Sequence, residues 1–514
     1  MAAKKSDEWY IGVDLGTGSC KSIIIDARAR VLGFGAGDYA ATEVQTKWKE
    51  QNPEALVDAM VHSVSSAIHQ ANVSPQACRG MSIGGALHSL IAIDRSGKPL
   101  TGVLTWVDDR AVQQAAAVRA TDDANRLYRQ TGCPTHSMFP LYKLIWLREK
   151  QPDIFGSAVR FVSAKEYVTE RLSGQAIVDF NIASGSGLLN IHDLRWNAKS
   201  LQLAGVTATQ LSSLGSPWTV IRELDTQLAS EMGISANTPL VLGSSDAANS
   251  SLGAGAVIPE CATCMIGTSG AFRIIAKQAR LDSSARSWCY AIDEKHWLVG
   301  GAINNGGIVL SWLRDLLNQA IPSASAKGQL SFDDLIAMAA EVRPGAEGLI
   351  CLPFFAGERS PNWNMNTRGV FFGLTLKHNA RHIARALLEG VAFRLRTLKE
   401  VLNEMGCEIN EIRASGGLTH SELWPQIIAS ALNVELGSPQ WGETSSLGAA
   451  LWALLGTGVM TNFGEIKKRI PPTRSYRPVK KDAERYDQLF RIYKDLYQSM
   501  QKSFSRIADI SGQK

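Results

Sequence analysis

The sequence has no long uninterrupted apolar segment. An uncharged stretch lies between Glu443 and Glu465, but polar residues and glycines interrupt it, so its apolar part is too short to span a bilayer. The first residues also lack the apolar region and the small-residue cleavage site of a signal peptide. We therefore expect no membrane span and no export, and hence a cytoplasmic location.

Cysteine is scarce, with 8 among 514 residues. Without an export signal, so few cysteines indicate reduced buried thiols rather than a disulfide framework. Cys261 and Cys264 form the only pair at C-x-x-C spacing, and no further ligands stand near them at the spacing of a zinc site. The sequence therefore predicts neither disulfides nor zinc.

Neither sign of charge dominates, because 53 Lys and Arg residues against 48 Asp and Glu residues give a formal net charge of +5. Seven of the basic residues lie within residues 467–481, which contain no acidic residue. This stretch has two adjacent prolines and a single aromatic residue. We interpret it as a solvated connector rather than a tract that binds a phosphate backbone, and we expect no nucleic-acid partner.

The remaining composition is that of an ordinary folded protein, with 45% hydrophobic and 20% charged residues. A length of 514 residues leaves room for about two to four domains. Helical and strand patterns alternate in both halves, which indicates an α/β fold. Near the C-terminus, apolar residues at helical spacing predict an amphipathic helix packed on the body: Tyr486, Leu489, Phe490, Tyr493, Leu496, Tyr497, Met500 and Phe504.

Two glycine-rich turns follow the same plan. Residues 9–25 form the pattern of a strand, a glycine turn and a second strand, and residues 264–275 repeat it. Neither turn opens a helix, as a Walker loop or a Rossmann turn does. Two facing hairpins can still hold a nucleotide triphosphate if each contributes backbone amides and a hydroxyl. The repeated plan predicts two related halves.

Two aspartates stand at strand ends. Asp14 precedes the first glycine turn, where its carboxylate could bind Mg²⁺ or simply cap the turn. Asp246 follows a short apolar strand and precedes a helix start. It is either an N-cap or a general base for a hydroxyl that attacks a γ-phosphate.

Two glycine pairs, residues 306–307 and 416–417, have no single explanation in the sequence. The second pair lies between a strand and a helix, where backbone can approach a purine or a ribose, although by itself it is weak support for a nucleotide site. Close helix packing explains the first pair equally well.

Together these motifs resemble those of the FGGY carbohydrate kinases, from about residue 10 to about residue 458. Residues 14–21 are similar to the family's first phosphate motif, residues 267–269 to its second, and residues 415–420 to its adenosine motif. The resemblance implies an α/β fold of the actin-like ATPase (ribonuclease H-like) type, with two domains and a central cleft. We expect a sugar-binding domain over residues 9–254, an ATP-binding domain over residues 255–461, and the basic connector and C-terminal helix over residues 462–514.

The resemblance also implies roles for individual residues. Asp246 matches the catalytic base and a metal ligand, and Asp14 matches the carboxylate that helps to hold Mg²⁺, so ATP and Mg²⁺ are the expected cofactors. The residues implied to bind ATP are Thr17, Gly18, Ser19, Lys21, Gly267, Thr268, Gly307, Gly416, Gly417 and His420. The residues implied to bind the sugar are Leu87, His88, Trp106, Asp108, His136, Lys143 and Asp246. Other members of the family are often dimers, so a homodimer is compatible with the resemblance.

The motifs of the first domain bear on the substrate. Residues 85–88 and 106–110 are similar to xylulokinase motifs but depart from them at Ala86, Leu87 and Val107, which argues against the usual pentulose. Residues 132–144, 301–308 and 353–363 look most like the gluconate kinases of the family. The predicted reaction is therefore the phosphorylation of D-gluconate to 6-phosphogluconate.

Gluconate is an anion, so its site should offer hydrogen-bond donors or a cation. The sequence suggests four residues for this: His88, Arg110, His136 and Lys143. Each has a structural alternative, since a buried histidine is often satisfied by a carbonyl and Lys143 could pair with an acid on a neighbouring helix.

Two kinds of alternative function stay open at this stage. Within the family, the substrate could be D-xylulose, L-ribulose, glycerol or a tetritol such as erythritol. From a different class, a non-enzymatic ATP switch of the actin or chaperone type shares the fold, but the polar motifs around His88 and Trp106 and the lack of a separate peptide-binding domain speak against it.

Overall fold

The computed structural model describes residues 8–39, 42–45, 48–319 and 328–510. The strands within these ranges are β1 (Trp9–Leu15), β2 (Ser19–Asp26), β3 (Val31–Asp38), β4 (Thr42–Gln45), β5 (Trp48–Gln51), β6 (Cys78–Gly85), β7 (Ile91–Ile93), β8 (Val103–Leu104), β9 (Arg160–Val162), β10 (Ile177–Asp179), β11 (Leu189–Asn190), β12 (Arg195–Trp196), β13 (Ser213–Gly215), β14 (Val220–Ile221), β15 (Leu240–Val241), β16 (Cys261–Ile266), β17 (Gly270–Ala276), β18 (Trp288–Ala291), β19 (Trp297–Ile303), β20 (Ile350–Leu352), β21 (Val370–Phe372), β22 (Glu411–Gly416), β23 (Glu435–Ser438) and β24 (Arg474–Tyr476).

The helices in the same ranges alternate with these strands, as the sequence pattern predicts. They are α1 (Pro53–Ala71), α2 (Val112–Arg119), α3 (Asp123–Thr131), α4 (Pro140–Lys150), α5 (Pro152–Ser157), α6 (Ala164–Ser173), α7 (Phe180–Ser184), α8 (Ala198–Ala204), α9 (Thr226–Met232), α10 (Asp246–Gly253), α11 (Ile308–Gln319), α12 (Phe332–Ala340), α13 (Ala380–Glu404), α14 (Leu423–Leu432), α15 (Thr444–Gly456), α16 (Phe463–Arg469) and α17 (Lys480–Ile510). We call the chain up to α10 the first half and the chain from β16 onward the second half.

Each half is built on one large mixed sheet. The first sheet has the order β14-β15-β6-β1-β2-β3, and the second has the order β18-β19-β17-β16-β22-β23-β24. In each sheet the first two strands in the chain form an antiparallel hairpin. Two later strands run parallel to the first strand of that hairpin and extend the sheet on its side. The hairpin β1–β2 thus corresponds to β16–β17, and β6 and β15 correspond to β22 and β23. The prediction of two related halves is confirmed.

Helices α10 and α15 cross in close contact and join the halves. A Cβ atom on Gly448 would lie 1.8 Å from the carbonyl oxygen of Asn249, and one on Gly253 would lie 1.9 Å from the carbonyl oxygen of Thr444. Only glycine permits so close a backbone approach. Helix α15 also packs on the first sheet, where a Cβ on Gly12 would meet the Ser446 carbonyl at 2.1 Å. This crossing fixes the start of α10, and therefore Asp246, against the second half.

The predicted C-terminal helix is present as α17. Its buried side chains include Tyr486, Phe490 and Tyr493, and the rings of all three pack around Phe393 of α13. The Tyr486 hydroxyl donates to Glu389 Oε1 at 2.9 Å. The eight cysteines are all buried and unpaired, as expected. None of the described helices combines the length and the apolar character needed to cross a membrane.

The basic stretch 467–481 has more structure than a connector. Residues 474–476 form β24, which pairs with β23 at the edge of the second sheet, and residues 467–469 end α16. Lys467 lies 3.3 Å from a carboxylate oxygen of Glu411, and Arg474 lies 3.3 Å from one of Glu422. The cations are largely solvated, but the interpretation of a simple connector is corrected. The domain boundaries at residues 254 and 461 stay predictions.

Candidate active site

Hydrogen bonds fix the turn of the first hairpin, and its tip is exposed to solvent. The turn closes through a hydrogen bond from Gly16 N to Ser19 O at 3.0 Å, and Tyr39 Oη donates to Gly16 O at 2.7 Å. Gly18 is exposed, with Thr17 and Ser19 half-buried on either side. Trp106 Nε1 donates to Thr17 Oγ1 at 2.9 Å. This bond joins the predicted phosphate hairpin directly to the predicted sugar motif.

The tip of the second hairpin accepts hydrogen bonds from the backbone at the start of α11. Gly307 N donates to Gly267 O at 2.7 Å, and Ile308 N donates to Thr268 O at 3.1 Å. A Cβ on Gly306 would lie 2.3 Å from Ser269 O, so close packing explains this glycine. Thr268 at the tip is exposed, as Gly18 is in the first hairpin.

A cavity of about 530 Å³ opens beside the second hairpin. It brings together five of the residues expected to bind ATP: Gly267, Thr268, Gly307, Gly417 and His420. Apolar side chains supply much of the remaining wall: Ile266, Leu310, Phe332, Ile336 and Trp424. Such a cavity, with polar backbone at one end and apolar walls, suits a purine nucleoside. Gly416 ends β22 next to the cavity with a positive φ of 70° and a ψ of −154°, a backbone conformation that favours glycine.

Asp14 has the character of a cation ligand. Its Oδ1 atom is buried and has no hydrogen-bond partner among the described residues. Burial raises the pKa of Asp14 to about 8, and the nearby Asp246 carboxylate adds to the increase. Two neighbouring carboxylates, one with an unsatisfied oxygen, fit Mg²⁺, which is usually bound by one or two carboxylates together with substrate phosphates. No group of three or more acidic, His or Cys ligands is present in the part of the chain that the structure describes.

Lys21 lies on the same hairpin but has a protein partner. Its Nζ is 2.8 Å from both carboxylate oxygens of Glu443, which precedes α15 in the second half. The pair is about one-third to one-half exposed, so it contributes little stability by itself. It does place a cation and an anion beside the hairpin tip at the junction of the halves. Glu443 could not be predicted as a partner of Lys21, because the two residues are 422 positions apart along the chain.

Asp246 is the first residue of α10 and not its N-cap. Ser245 is the cap, since its side chain accepts from Ala248 N at 3.2 Å, so the N-cap interpretation of Asp246 is wrong. Asp246 Oδ1 accepts from Ala247 N at 2.7 Å, and the backbone of Leu87 lies close enough to this carboxylate to lower its pKa. Burial raises the pKa of Asp246, and the positive charge of Arg273 opposes the increase.

Arg273 is a site residue that the sequence did not reveal. It lies on β17, is buried, and donates from Nη2 to Ser250 Oγ, one helical turn beyond Asp246 on α10. Its Nε has no partner within the described ranges. The second half thus places a buried cation near the predicted base. A strand residue in an apolar segment carries no local signal of such a role.

The two predicted histidines both lie in the first half, and the charge of one acts on the other. His88 adopts a left-handed conformation (φ 70°), and its Nδ1 is 2.6 Å from Gly185 O. The ring of His136 lies 5.4 Å from that of Trp363, and its Nδ1 accepts from Met138 N at 3.2 Å. Burial lowers the pKa of each to about 3, so both rings are neutral near pH 7.

Three other predicted residues are occupied by the protein itself. Lys143 is 0% exposed and donates from Nζ to three backbone carbonyls. Arg110 is held by Asp108 and Glu50 and lies over the rings of Trp48 and Trp146. The Asp108 carboxylate is also fully buried and accepts from Lys49 N. We therefore revise the expectation that Lys143, Arg110 and Asp108 face the substrate, because all three brace the segments that carry Trp106 and His88.

Comparison with known proteins identifies the family. Models of the FGGY family of carbohydrate kinases match the chain twice, the N-terminal domain over residues 9–253 and the C-terminal domain over residues 262–457. The chain belongs to the FGGY family of carbohydrate kinases. A gluconokinase of Bacillus subtilis (strain 168) is 35% identical over 503 residues, covering 98% of each chain.

Two solved structures from Lactobacillus acidophilus are also similar to this FGGY chain. A gluconate kinase has a TM-score of 0.90 at 30% identity, over 97% of this chain and 99% of that one. A ligand-bound xylulose kinase has a TM-score of 0.91 at 30% identity, over 97% and 100%. The predicted actin-like ATPase fold is confirmed, and the protein is a sugar kinase with ATP as its phosphoryl donor.

Proposed function

We propose that this FGGY kinase transfers the γ-phosphoryl group of MgATP to the terminal hydroxyl of D-gluconate, giving 6-phosphogluconate and ADP. The observation that carries the chemistry is the pair of contacts around Asp246 and the first hairpin. The backbone of Leu87 lies close enough to the Asp246 carboxylate to lower its pKa, and Trp106 Nε1 donates to Thr17 Oγ1 at 2.9 Å. Both contacts link the sugar motifs to the catalytic and phosphate-binding elements.

Asp246 acts as the general base in this proposal. Its carboxylate removes the proton of the terminal hydroxyl as that oxygen attacks the γ-phosphorus. The exposed amides of the two hairpin tips hold the phosphates, and the 530 Å³ cavity holds the nucleoside. Asp14 and Asp246 would hold Mg²⁺, which neutralises charge on the phosphates when it is bound. The remaining catalysis is positioning and the exclusion of water.

Gluconate is favoured by the relatives and by the site. The chain is 35% identical to a gluconokinase over 98% of its length. The two neutral histidines offer directed hydrogen bonds for a chain of hydroxyl groups. D-Xylulose is the second candidate, because a xylulose kinase structure matches with a TM-score of 0.91.

Detection of the product tests the proposal. The purified protein is incubated with MgATP and gluconate, and a 6-phosphogluconate dehydrogenase reports the product through NADPH formation. We expect NADPH in proportion to the ADP formed, and at least about 100-fold slower NADPH formation from Asp246→Asn at the same enzyme concentration. ADP formation without NADPH would place the phosphate on a different hydroxyl, and equal ATP turnover with and without sugar would favour an ATP switch.

A further inference from the structure

The carboxylate of a sugar acid needs a positively charged or hydrogen-bonding partner when it leaves water. Two of the candidate cations in the first half, Lys143 and Arg110, are fully engaged by backbone carbonyls and carboxylates. His88 and His136 are neutral near pH 7. A positive charge for the carboxylate would therefore come from another residue.

We propose that Arg359, from the second half, binds the substrate carboxylate across the junction of the halves. This inference rests on gluconate as the proposed substrate. Arg359 is 8% exposed, and its guanidinium carbon lies 4.7 Å from the ring centroid of Trp106 in the first-half sugar motif. A residue of the ATP-binding half thus reaches the sugar motif of the other half.

The hydrogen bonds of Arg359 fix its guanidinium and leave part of it free. Nε donates to Asn304 Oδ1 at 2.7 Å, and Nη2 donates to Ile303 O at 3.1 Å. In the described structure Nη1 has no protein acceptor. A guanidinium held in this way presents a planar edge that matches a carboxylate, and Trp106 stacks against its face.

Arg359 also lacks a carboxylate partner of its own. The neighbouring Glu358 is fully buried and accepts from Asn304 N and Arg359 N at 2.8 Å and from Arg394 Nε at 3.3 Å. No ion pair involves the Arg359 side chain within the residues that the structure covers. The charge of Glu358 acts on Arg359 but is shared with Arg394, so the buried Arg359 guanidinium has no direct ion pair among the described residues, and a substrate carboxylate would supply one.

The loop that carries Arg359 borders the predicted sugar site at a second point. Trp363, four residues further on, lies 5.4 Å from the His136 ring. The charge of Arg359 also lowers the pKa of both His88 and His136, so all three groups are close in space. In gluconate the carboxylate is at the opposite end of the carbon chain from the hydroxyl that Asp246 activates. The two halves would therefore hold opposite ends of one substrate.

The test combines a change in the enzyme with a change in the ligand. Wild type and Arg359→Met are assayed with D-gluconate and with D-gluconamide, which has the same carbon chain but no charge. For wild type we expect kcat/KM to favour gluconate by about 10- to 100-fold, the range for a charge-assisted hydrogen bond in a protected site. Arg359→Met should lose this preference to within about threefold through a higher KM for gluconate, with the KM for ATP unchanged.

Controls separate the possible failures. Arg506→Met, at an exposed position of α17, should retain the wild-type preference. Arg359→Lys keeps the positive charge but not the planar guanidinium, so it should recover part of the preference for gluconate. It also provides the test if Arg359→Met does not fold. A preference for gluconate that survives in Arg359→Met, or equal use of both ligands by wild type, would overturn the role of Arg359 while leaving gluconate as a substrate. Failure of wild type to phosphorylate gluconate would instead overturn the proposed function.

Discussion

Lys143 offers a sharp test of how the sugar motif is held in place. Its Nζ donates to His88 O at 2.9 Å, Thr105 O at 2.6 Å and Leu104 O at 3.4 Å. Thr105 O and Leu104 O each accept a second hydrogen bond from a backbone N–H, so they stay paired when Lys143 is replaced. His88 O has no other donor in the described structure. We expect Lys143→Met, which keeps most of the unbranched side chain but lacks the Nζ donor, to remove the hydrogen bond that supports the backbone of His88.

The cost of Lys143→Met follows from these contacts. An orphaned buried carbonyl and the lost hydrogen bonds of Nζ each cost about 1–3 kcal/mol, and relief from burying a polar amine offsets part of this. The net loss should be about 2–4 kcal/mol in the free energy of unfolding, measured by urea denaturation with circular dichroism. The KM for gluconate should rise about tenfold while the KM for ATP stays constant, because the variant disturbs only the sugar motif.

A control on the same helix makes the Lys143 result decisive. Lys150→Met changes an exposed residue at the end of α4 and should alter stability by less than about 0.5 kcal/mol. If Lys143→Met matched Lys150→Met in both stability and KM, the structural role that we assign to Lys143 would be wrong.

Three further predictions concern the base, the helix crossing and pH. Asp246→Asn should lower kcat about 10²- to 10⁴-fold in steady-state assays and leave ATP affinity within about twofold, and unchanged turnover would remove the base assignment. Gly448→Ala should destabilise the protein by more than about 3 kcal/mol or prevent folding, because its Cβ would lie 1.8 Å from Asn249 O. Gly156→Ala, where a Cβ meets open space, should be neutral or stabilising by up to about 1 kcal/mol in the same denaturation assay, and equal effects of the two changes would contradict the close crossing. Burial lowers the pKa of Lys143 from 10.5 to about 7. Between pH 7 and pH 10.5, Lys143 is therefore protonated in the unfolded chain but mostly unprotonated in the folded chain. Wild type should therefore gain stability relative to Lys143→Met as the pH rises from about 7, by at most about 1.4 kcal/mol per pH unit, whereas a difference that does not change with pH would show that Lys143 stays charged.

Features encoded by consecutive residues were predictable from the sequence. The hairpins β1–β2 and β16–β17 follow from apolar runs around a glycine turn, and the amphipathic pattern of α17 follows from its spacing. The position of Asp246 at the start of a helix was also predictable, although the cap itself is Ser245. In these cases the local pattern and the tertiary fold agree.

Contacts between distant segments were not predictable in the same way. Arg359 reaches Trp106, and Lys21 reaches Glu443, only because the two halves pack together. The sequence also cannot distinguish a lysine that faces a ligand from one that is buried against carbonyls, and for this reason it predicts Lys143 as a substrate residue. Burial and partners decide the role of a charged residue, and both depend on the tertiary structure.

D-Gluconate is the substrate that we propose for this FGGY kinase. The most direct test measures kcat/KM for ATP-dependent turnover with gluconate, xylulose, ribulose, glycerol and erythritol, each against a blank without sugar. We predict that gluconate gives the highest kcat/KM, at least about tenfold above the next sugar, a difference of about 1.4 kcal/mol in transition-state binding. A higher value for xylulose or another neutral sugar would contradict the claim.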